Sequence, residues 1–192
     1  MNRGLLIILS GPSGVGKGTI RKKLFENNDL NLVYSISMTT RAPRAGEKDG
    51  VDYFFVSEKE FQKNINKNNF LEFCFFVGNC YGTPKSFIEK WRNEGKNVFL
   101  EIEINGASQV LEKTKGDGVV SIFLTPPSFE ALKERIINRK SETEEVVNKR
   151  LAKAKSEMDK VNEYDYVVIN DDVERAAEEI RQIIINKINN QN

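Results

Sequence analysis

The chain has 192 residues, 39% of them hydrophobic and 30% charged, with a formal net charge of +1. That length suits one large domain with a full core, and the near-neutral charge gives no case for nucleic-acid or membrane binding by bulk electrostatics. Histidine is absent, which excludes imidazole bases and histidine triads, and the only cysteines, Cys74 and Cys80, form a poor zinc site. Both read as reduced thiols, no apolar run reaches the ~18 residues of a membrane span, and the expected compartment is the cytoplasm.

The first apolar run, 5–9, reads as a strand and stops at Ser10-Gly11-Pro12-Ser13-Gly14-Val15-Gly16-Lys17-Gly18-Thr19. A polar segment of helical potential, 19–26, follows. Strand, glycine-rich turn and helix are the order of a phosphate-binding loop. Gly11, Gly14 and Gly16 let successive backbone N–H groups point at one anion, and the helix start adds its dipole. Lys17 supplies a mobile cation for the outer phosphates. The usual pattern has Ser or Thr directly after the lysine, whereas here Gly18 stands there and Thr19 one step later. Whether Thr19 serves Mg²⁺ or a phosphate is left open. A nucleoside triphosphate is the expected ligand.

A second strand is expected at 32–36, leading into Ser37-Met38-Thr39-Thr40-Arg41-Ala42-Pro43-Arg44-Ala45-Gly46-Glu47, where Pro43 and Gly46 argue against a continuous helix or central strand. From 51 to 83 the texture changes to short aromatic runs (53–56, 70–77) around a helix-like 58–67. A Gly78-Asn79 turn then precedes 80–83. Short strands and tight turns predict a small antiparallel insert. Pro84 opens a helix to about residue 93. Alternation resumes with strand 98–103, helix 106–115, strand 119–124 and, after Pro126-Pro127-Ser128, helix 129–139. The run 141–145 caps a long charged helix to about 162, strand 166–169 follows, and helix 173–188 places Ala176, Ile180, Ile183, Ile184 and Ile188 on one face. The pattern predicts an α/β fold with a parallel sheet covered on both faces.

Arg41 and Arg44, three residues apart beside Thr39 and Thr40, form a group able to fork onto a second phosphate. Together with the glycine-rich loop, three further runs carry a resemblance. They are Gly50-Val51-Asp52-Tyr53-Phe54-Phe55-Val56, Gly78-Asn79-Cys80-Tyr81-Gly82-Thr83 and Glu101-Ile102-Glu103-Ile104-Asn105-Gly106-Ala107. With Glu142-Thr143-Glu144-Glu145 and Asn170-Asp171-Asp172 added, the chain strongly resembles the guanylate kinases over essentially its whole length.

That resemblance implies a P-loop-type three-layer α/β/α fold with a parallel central sheet, a small mixed antiparallel GMP-binding insert and a helical lid. Its parts are a core at 1–36, 85–135 and 163–192, an insert at 37–84 and a lid at 136–162. It implies transfer of the γ-phosphate of ATP to GMP, and to dGMP, with Mg²⁺ accompanying ATP. The Mg²⁺ has no direct side-chain ligand assigned, and contact through water near Glu101 or Thr19 is the expectation. ATP contacts are implied for Gly11, Pro12, Ser13, Gly14, Val15, Gly16, Lys17, Gly18, Thr19 and, near the base, Asn170. GMP contacts are implied for Ser37, Arg41, Arg44, Tyr53, Glu72, Tyr81, Thr83, Glu101 and Glu103. Catalytic roles fall to Lys17, Arg41, Arg135, Arg139 and Arg150.

The chemistry of these residues is compatible with such roles. Glu72 is an acceptor-only carboxylate, and guanine offers adjacent N1–H and N2–H₂ donors that adenine lacks. Tyr53 and Tyr81 either surround a phosphate or simply pack. Glu101 and Glu103, two apart on the expected strand, both point to one side near its C-terminal end, where open α/β sheets bind ligands. The alternative for each is an ion pair with an arginine. The family has aspartate where Glu103 stands, and Gly-Thr where Lys140-Ser141 follow Arg139, so the lid's edge is expected to be stiffer. Arg135, Arg139 and Arg150 close over the phosphates or remain in surface ion pairs. A non-catalytic guanylate-kinase-like phosphopeptide-binding module and another nucleoside monophosphate kinase are the rival readings. Monomer and homo-oligomer are both left open.

Overall fold

The computed structural model describes residues 3–76, 78–114, 116, 118–137 and 144–190. In chain order the first elements are β1 (Leu6–Ser10), α1 (Lys17–Leu24), β2 (Leu32–Tyr34), β3 (Met38–Thr39) and β4 (Phe54–Phe55). Next come α2 (Glu58–Asn66), β5 (Phe70–Phe76), β6 (Asn79–Pro84), α3 (Lys85–Asn93), β7 (Asn97–Glu101) and α4 (Ile104–Thr114). The last are β8 (Val119–Thr125), α5 (Phe129–Ile137), α6 (Glu144–Met158), a 3-10 turn at Val161–Glu163, β9 (Tyr166–Ile169) and α7 (Val173–Asn189).

The side chains of β1 and of Leu5 just before it alternate between two cores. Leu5, Ile7 and Leu9 face Ile20 and Leu24 of α1 and Ala176, Ile180 and Ile184 of α7. Leu6 and Ile8 face Ile88 of α3 and Ile104, Ala107 and Val110 of α4. Both faces are therefore covered, as a parallel sheet requires. The order is β2-β7-β1-β8-β9, and every pairing is parallel. The loop after β1 thus opens at the C-terminal edge of the sheet's centre, where doubly wound sheets bind ligands.

A second sheet, β4-β3-β6-β5, carries the insert. Its β5–β6 hairpin is antiparallel, with Gly78 at φ 76° and Phe76 paired to Asn79. The insert is mixed, as expected: β3 pairs with β4 in parallel, while β3–β6 and β5–β6 are antiparallel. A strand also occurs at Met38–Thr39, since Pro43 and Gly46 break the backbone only downstream of it. The insert has its own aromatic packing, with Phe61 stacked on Phe70 at 4.6 Å. α5 and α6 share a small core of Leu132, Ile136 and Ala154. α6 ends at Met158 rather than near 162, and residues 141–143 of the capping run expected at 141–145 lie outside the described residues.

One correction bears directly on the site. β7 ends at Glu101, and the carbonyl of Glu103 already accepts the Ala107 N–H at 2.9 Å as α4 begins. Glu101 and Glu103 are therefore not strand neighbours on one side. The first closes a strand, the second opens a helix, and their carboxylates diverge to different partners.

Candidate active site

The glycine-rich loop has the geometry its sequence demands. Gly11, Gly14 and Gly16 lie at φ 147°, 87° and 104°, and Gly16 is the left-handed N-cap of α1. Side chains would not fit either. A Cβ on Gly11 would lie 2.2 Å from the Leu124 carbonyl oxygen, and one on Gly16 would lie 2.6 Å from Asn170 Nδ2. Lys17 Nζ curls back over the loop and donates to the carbonyls of Gly11 at 2.6 Å and Pro12 at 3.2 Å. Burial lowers its pKa from the ordinary lysine value, opposed by the nearby charges of Glu101, Glu157 and Glu103.

The cavity above this loop has a volume of about 470 Å³. Besides Lys17 and Thr19 it is lined by Arg21, Lys22 and Glu157, none of which was expected from the sequence. Arg21 follows Lys17 by four residues and so shares its helix face, which was a readable signal. Its guanidinium lies 4.3 Å from the centroid of Tyr34, and its Nε is 3.3 Å from Glu101 Oε2. Burial raises the Glu101 carboxyl above its usual range, against the pull of Arg21 and Lys17. The ion-pair alternative weighed for Glu101 is thus realised with Arg21, inside the cavity rather than away from it.

A second cavity of about 410 Å³ lies between the insert and α4. Ser37, Tyr53, Glu72 and Tyr81 line it, and Glu101 and Glu103 line both cavities. The two spaces meet at those carboxylates. Glu72 is only 5% exposed, and Thr83 Oγ1 donates to its Oε1 at 2.6 Å. Burial raises its pKa, offset in part by Thr83 and Lys113. Gly106 forms the floor beneath it, since a Cβ there would fall 2.8 Å from Glu72 Oε2. Thr83 is buried behind Glu72 and holds that carboxylate, while Glu72 itself faces the space.

Tyr53 and Tyr81 meet edge to face, with centroids 6.1 Å apart, and the Arg41 guanidinium lies 5.4 Å from the Tyr53 centroid. Arg41 is not an unengaged fork. Its Nη2 donates to both oxygens of Glu47, at 2.8 and 2.9 Å, and its Nη1 to the Ala42 carbonyl at 2.8 Å. Glu47 also accepts the Arg44 backbone N–H at 2.7 Å, so this one carboxylate organises the turn that carries both arginines. Arg44 itself is exposed.

Other expected residues land elsewhere. Asn170 is buried beside the loop and donates from Nδ2 to the Val15 carbonyl at 2.7 Å, bracing the loop from beneath. Arg135 reaches the same place, its Nη2 donating to the Asn170 carbonyl at 2.8 Å and its Nη1 to the Val15 carbonyl at 3.3 Å. It supports the loop through two carbonyls and does not project over the cavity. Arg150 sits half-buried on α6. Arg139, with Lys140 and Ser141, lies outside the described residues. Cys74 and Cys80 are free thiols, and burial pushes Cys74 up to about 11. Among the described residues no three Cys, Asp or Glu side chains converge as a metal cluster. Nor, among them, is any helix long and apolar enough to cross a membrane.

Comparison with known proteins agrees with this architecture. The family model described as guanylate kinase matches residues 3–187. A guanylate kinase of Bacillus cereus is 57% identical over 183 residues, covering 95% of this chain and 88% of that protein. One from Lactiplantibacillus plantarum is 54% identical over 182 residues, covering 95% and 87%. Among solved structures, guanylate kinase from Anaplasma phagocytophilum superposes with a TM-score of 0.75 at 35% identity, covering 97% of this chain and 87% of that one. A phosphate loop and a carboxylate-floored insert meeting at one seam, together with identity of this extent, place the chain in the guanylate kinase family.

Proposed function

We propose that the protein transfers the γ-phosphate of ATP to GMP, and to dGMP, giving ADP and the nucleoside diphosphate. The observation that carries this reading is the meeting of two cavities at Glu101 and Glu103, one over the glycine-rich loop and the other lined by the buried Glu72. Two nucleotides bound this way would face each other through their phosphates. A buried acceptor-only carboxylate favours guanine, whose N1–H and N2–H₂ satisfy it, over adenine, which would leave it unpaired.

The acceptor is a phosphate oxygen with a second pKa of ~6, so it is largely ionised at neutral pH and needs no general base. An absence of histidine is therefore no obstacle. The work left to the protein is alignment and charge neutralisation. In this reading Gly11, Pro12, Ser13, Gly14, Val15, Gly16, Gly18 and Thr19 hold the triphosphate, Lys17 neutralises it, and Arg135 and Asn170 keep the loop's shape. Ser37, Arg41, Arg44, Tyr53 and Tyr81 take the acceptor phosphate, Arg41 by sharing or exchanging Glu47. Arg139 and Arg150 act from the lid. The core (1–36, 85–135, 163–192), insert (37–84) and lid (136–162) move as separate parts that close to exclude water.

Mg²⁺ belongs to the same reading. The hard oxygen donors lining the loop cavity, Glu101, Glu157 and Thr19, suit that ion and its retained waters. Gly18 leaves room for them, a Cβ there lying 3.7 Å from Glu101 Oε1. When bound with ATP the ion supplies charge neutralisation for the phosphates. The substrates and the reduced thiols fit a cytoplasmic setting.

The test is ADP formation from Mg-ATP with GMP, dGMP, AMP, CMP or UMP offered separately, beside a no-acceptor control. Turnover is expected with GMP and dGMP alone. Turnover with AMP or a pyrimidine would overturn the guanine reading, and nucleotide binding without turnover would favour the phosphopeptide-binding module.

A further inference from the structure

Lys153, on α6, reaches the seam between the two cavities. Its ammonium donates to Glu103 Oε2 at 2.7 Å and lies 3.6 Å from Glu157 Oε1, one helical turn along. Glu157, only 9% exposed, accepts in turn from the Ser13 backbone N–H at 3.4 Å. Glu103 is anchored in the core, because its carbonyl accepts the Ala107 N–H of α4. A continuous polar bridge therefore runs from the glycine-rich loop through the lid helix to the carboxylate that lines both cavities.

The position of this bridge along α6 gives it a role. Val147, Leu151 and Ala154 pack against Leu132 and Ile136 of α5, and Met158 at the helix end packs against the core. Between those contacts, Lys153 and Glu157 tie α6 to the seam and to the glycine-rich loop. Lys153 is also the one cationic residue among the described residues lining the insert cavity. A lysine stem long enough to span this distance leaves the helix tied but adjustable.

We propose that Lys153 is a positioning residue, which sets the closure of the lid helix over the reacting phosphates by holding Glu103 and Glu157 together. Its kinetic consequence rests on the kinase reading above, whereas its structural consequence does not.

Two measurements on Lys153→Met, Lys153→Arg, Glu103→Asp and the Met/Asp double variant decide it. Glu103→Asp keeps the charge but withdraws the carboxylate by one methylene. In the ligand-free protein, amide hydrogen exchange along α6 should quicken by about fivefold in Lys153→Met and in Glu103→Asp, the scale of a partly exposed ion pair. Exchange in the central sheet should not change, and the double variant should exchange no faster than Lys153→Met alone. With Mg-ATP and GMP, Lys153→Met should lose about tenfold in kcat with the KM for GMP within about twofold, as expected of a closure defect, and Lys153→Arg should recover most of it. Unchanged α6 exchange in Lys153→Met, additive effects in the double variant, or a loss confined to KM would each overturn the proposal. A wild-type protein that phosphorylates no GMP would sink the kinase reading, while the exchange comparison would still decide the bridge.

Discussion

Glu72 carries the sharpest conflict between stability and use. Its pKa in the folded chain lies above the ordinary value of 4.5, chiefly because burial penalises the charged form. A carboxyl raised in this way contributes stability that is fully present below its unfolded pKa and is lost as pH rises through the folded one. Ionising Glu72 in the folded chain is thus a cost, eased by the hydroxyl of Thr83. Glu72→Gln removes the charge with little change of shape. Its Tm at pH 7 should exceed that of the wild type. The gap should close as pH falls towards the ordinary carboxylate value, and thermal melts between about pH 4 and 8 would reveal it. The same variant should lose about a hundredfold or more in kcat/KM for GMP, since an amide cannot accept both guanine donors. With the guanine-reading role proposed for it, a buried carboxylate that is costly to ionise fits the general trade of stability for function.

Among the elements, α7 shows how a cap and an apolar stripe combine. Asp172 Oδ1 accepts the Arg175 N–H at 2.9 Å, satisfying one of the orphan donors of the first turn. The stripe Ala176, Ala177, Ile180 and Ile184 then lies against β1, β8 and α1. Arg175 folds back onto Asp171 and the Ile169 carbonyl, tying the helix start to the end of β9. Asp172→Ala should cost about 1 kcal/mol by denaturant titration, with the m-value unchanged. Nucleotide turnover should persist, because Asp172 lines neither cavity. A similar logic holds at Gly16, whose left-handed φ ends the glycine-rich loop and starts α1.

At the scale of the whole molecule, the insert and the core form separate sheets joined by a few side-chain contacts. Gln109 of α4 exchanges hydrogen bonds with the Phe73 backbone at 3.1 and 3.4 Å, and Lys113 Nζ donates to the Leu71 carbonyl at 2.7 Å. These side chains occupy the free edge of β5 as a neighbouring strand would. Phe61, 1% exposed, holds the insert together by stacking on Phe70. Phe61→Ala removes that ring and should cost about 3–5 kcal/mol, borne by the insert. Separate titrations should then find the affinity for GMP reduced by about tenfold or more while that for an ATP analogue stays within about twofold, since local destabilisation need not spread to the core.

What could be read from the residues in order was what depends on neighbours in the chain. The loop at 11–19 was legible because backbone freedom, a helix start and a lysine must be adjacent to cradle a phosphate, and alternating apolar runs set the α/β class. The separateness of the insert was legible for the same reason, through Gly78 and a cluster of short aromatic runs. The tertiary structure alone decided which carboxylates meet which cations. Glu101 faces Arg21 while Glu103 faces Lys153, since β7 gives way to α4 between them. Glu157 joins the loop cavity from more than a hundred residues away, and Asn170 and Arg135 brace the loop's carbonyls from below. Local conformation is set by each residue's own backbone preferences and those of its neighbours, so it is written along the chain. Long-range ion pairs and buried polar contacts depend on how the layers pack, and no local pattern in the sequence encodes them.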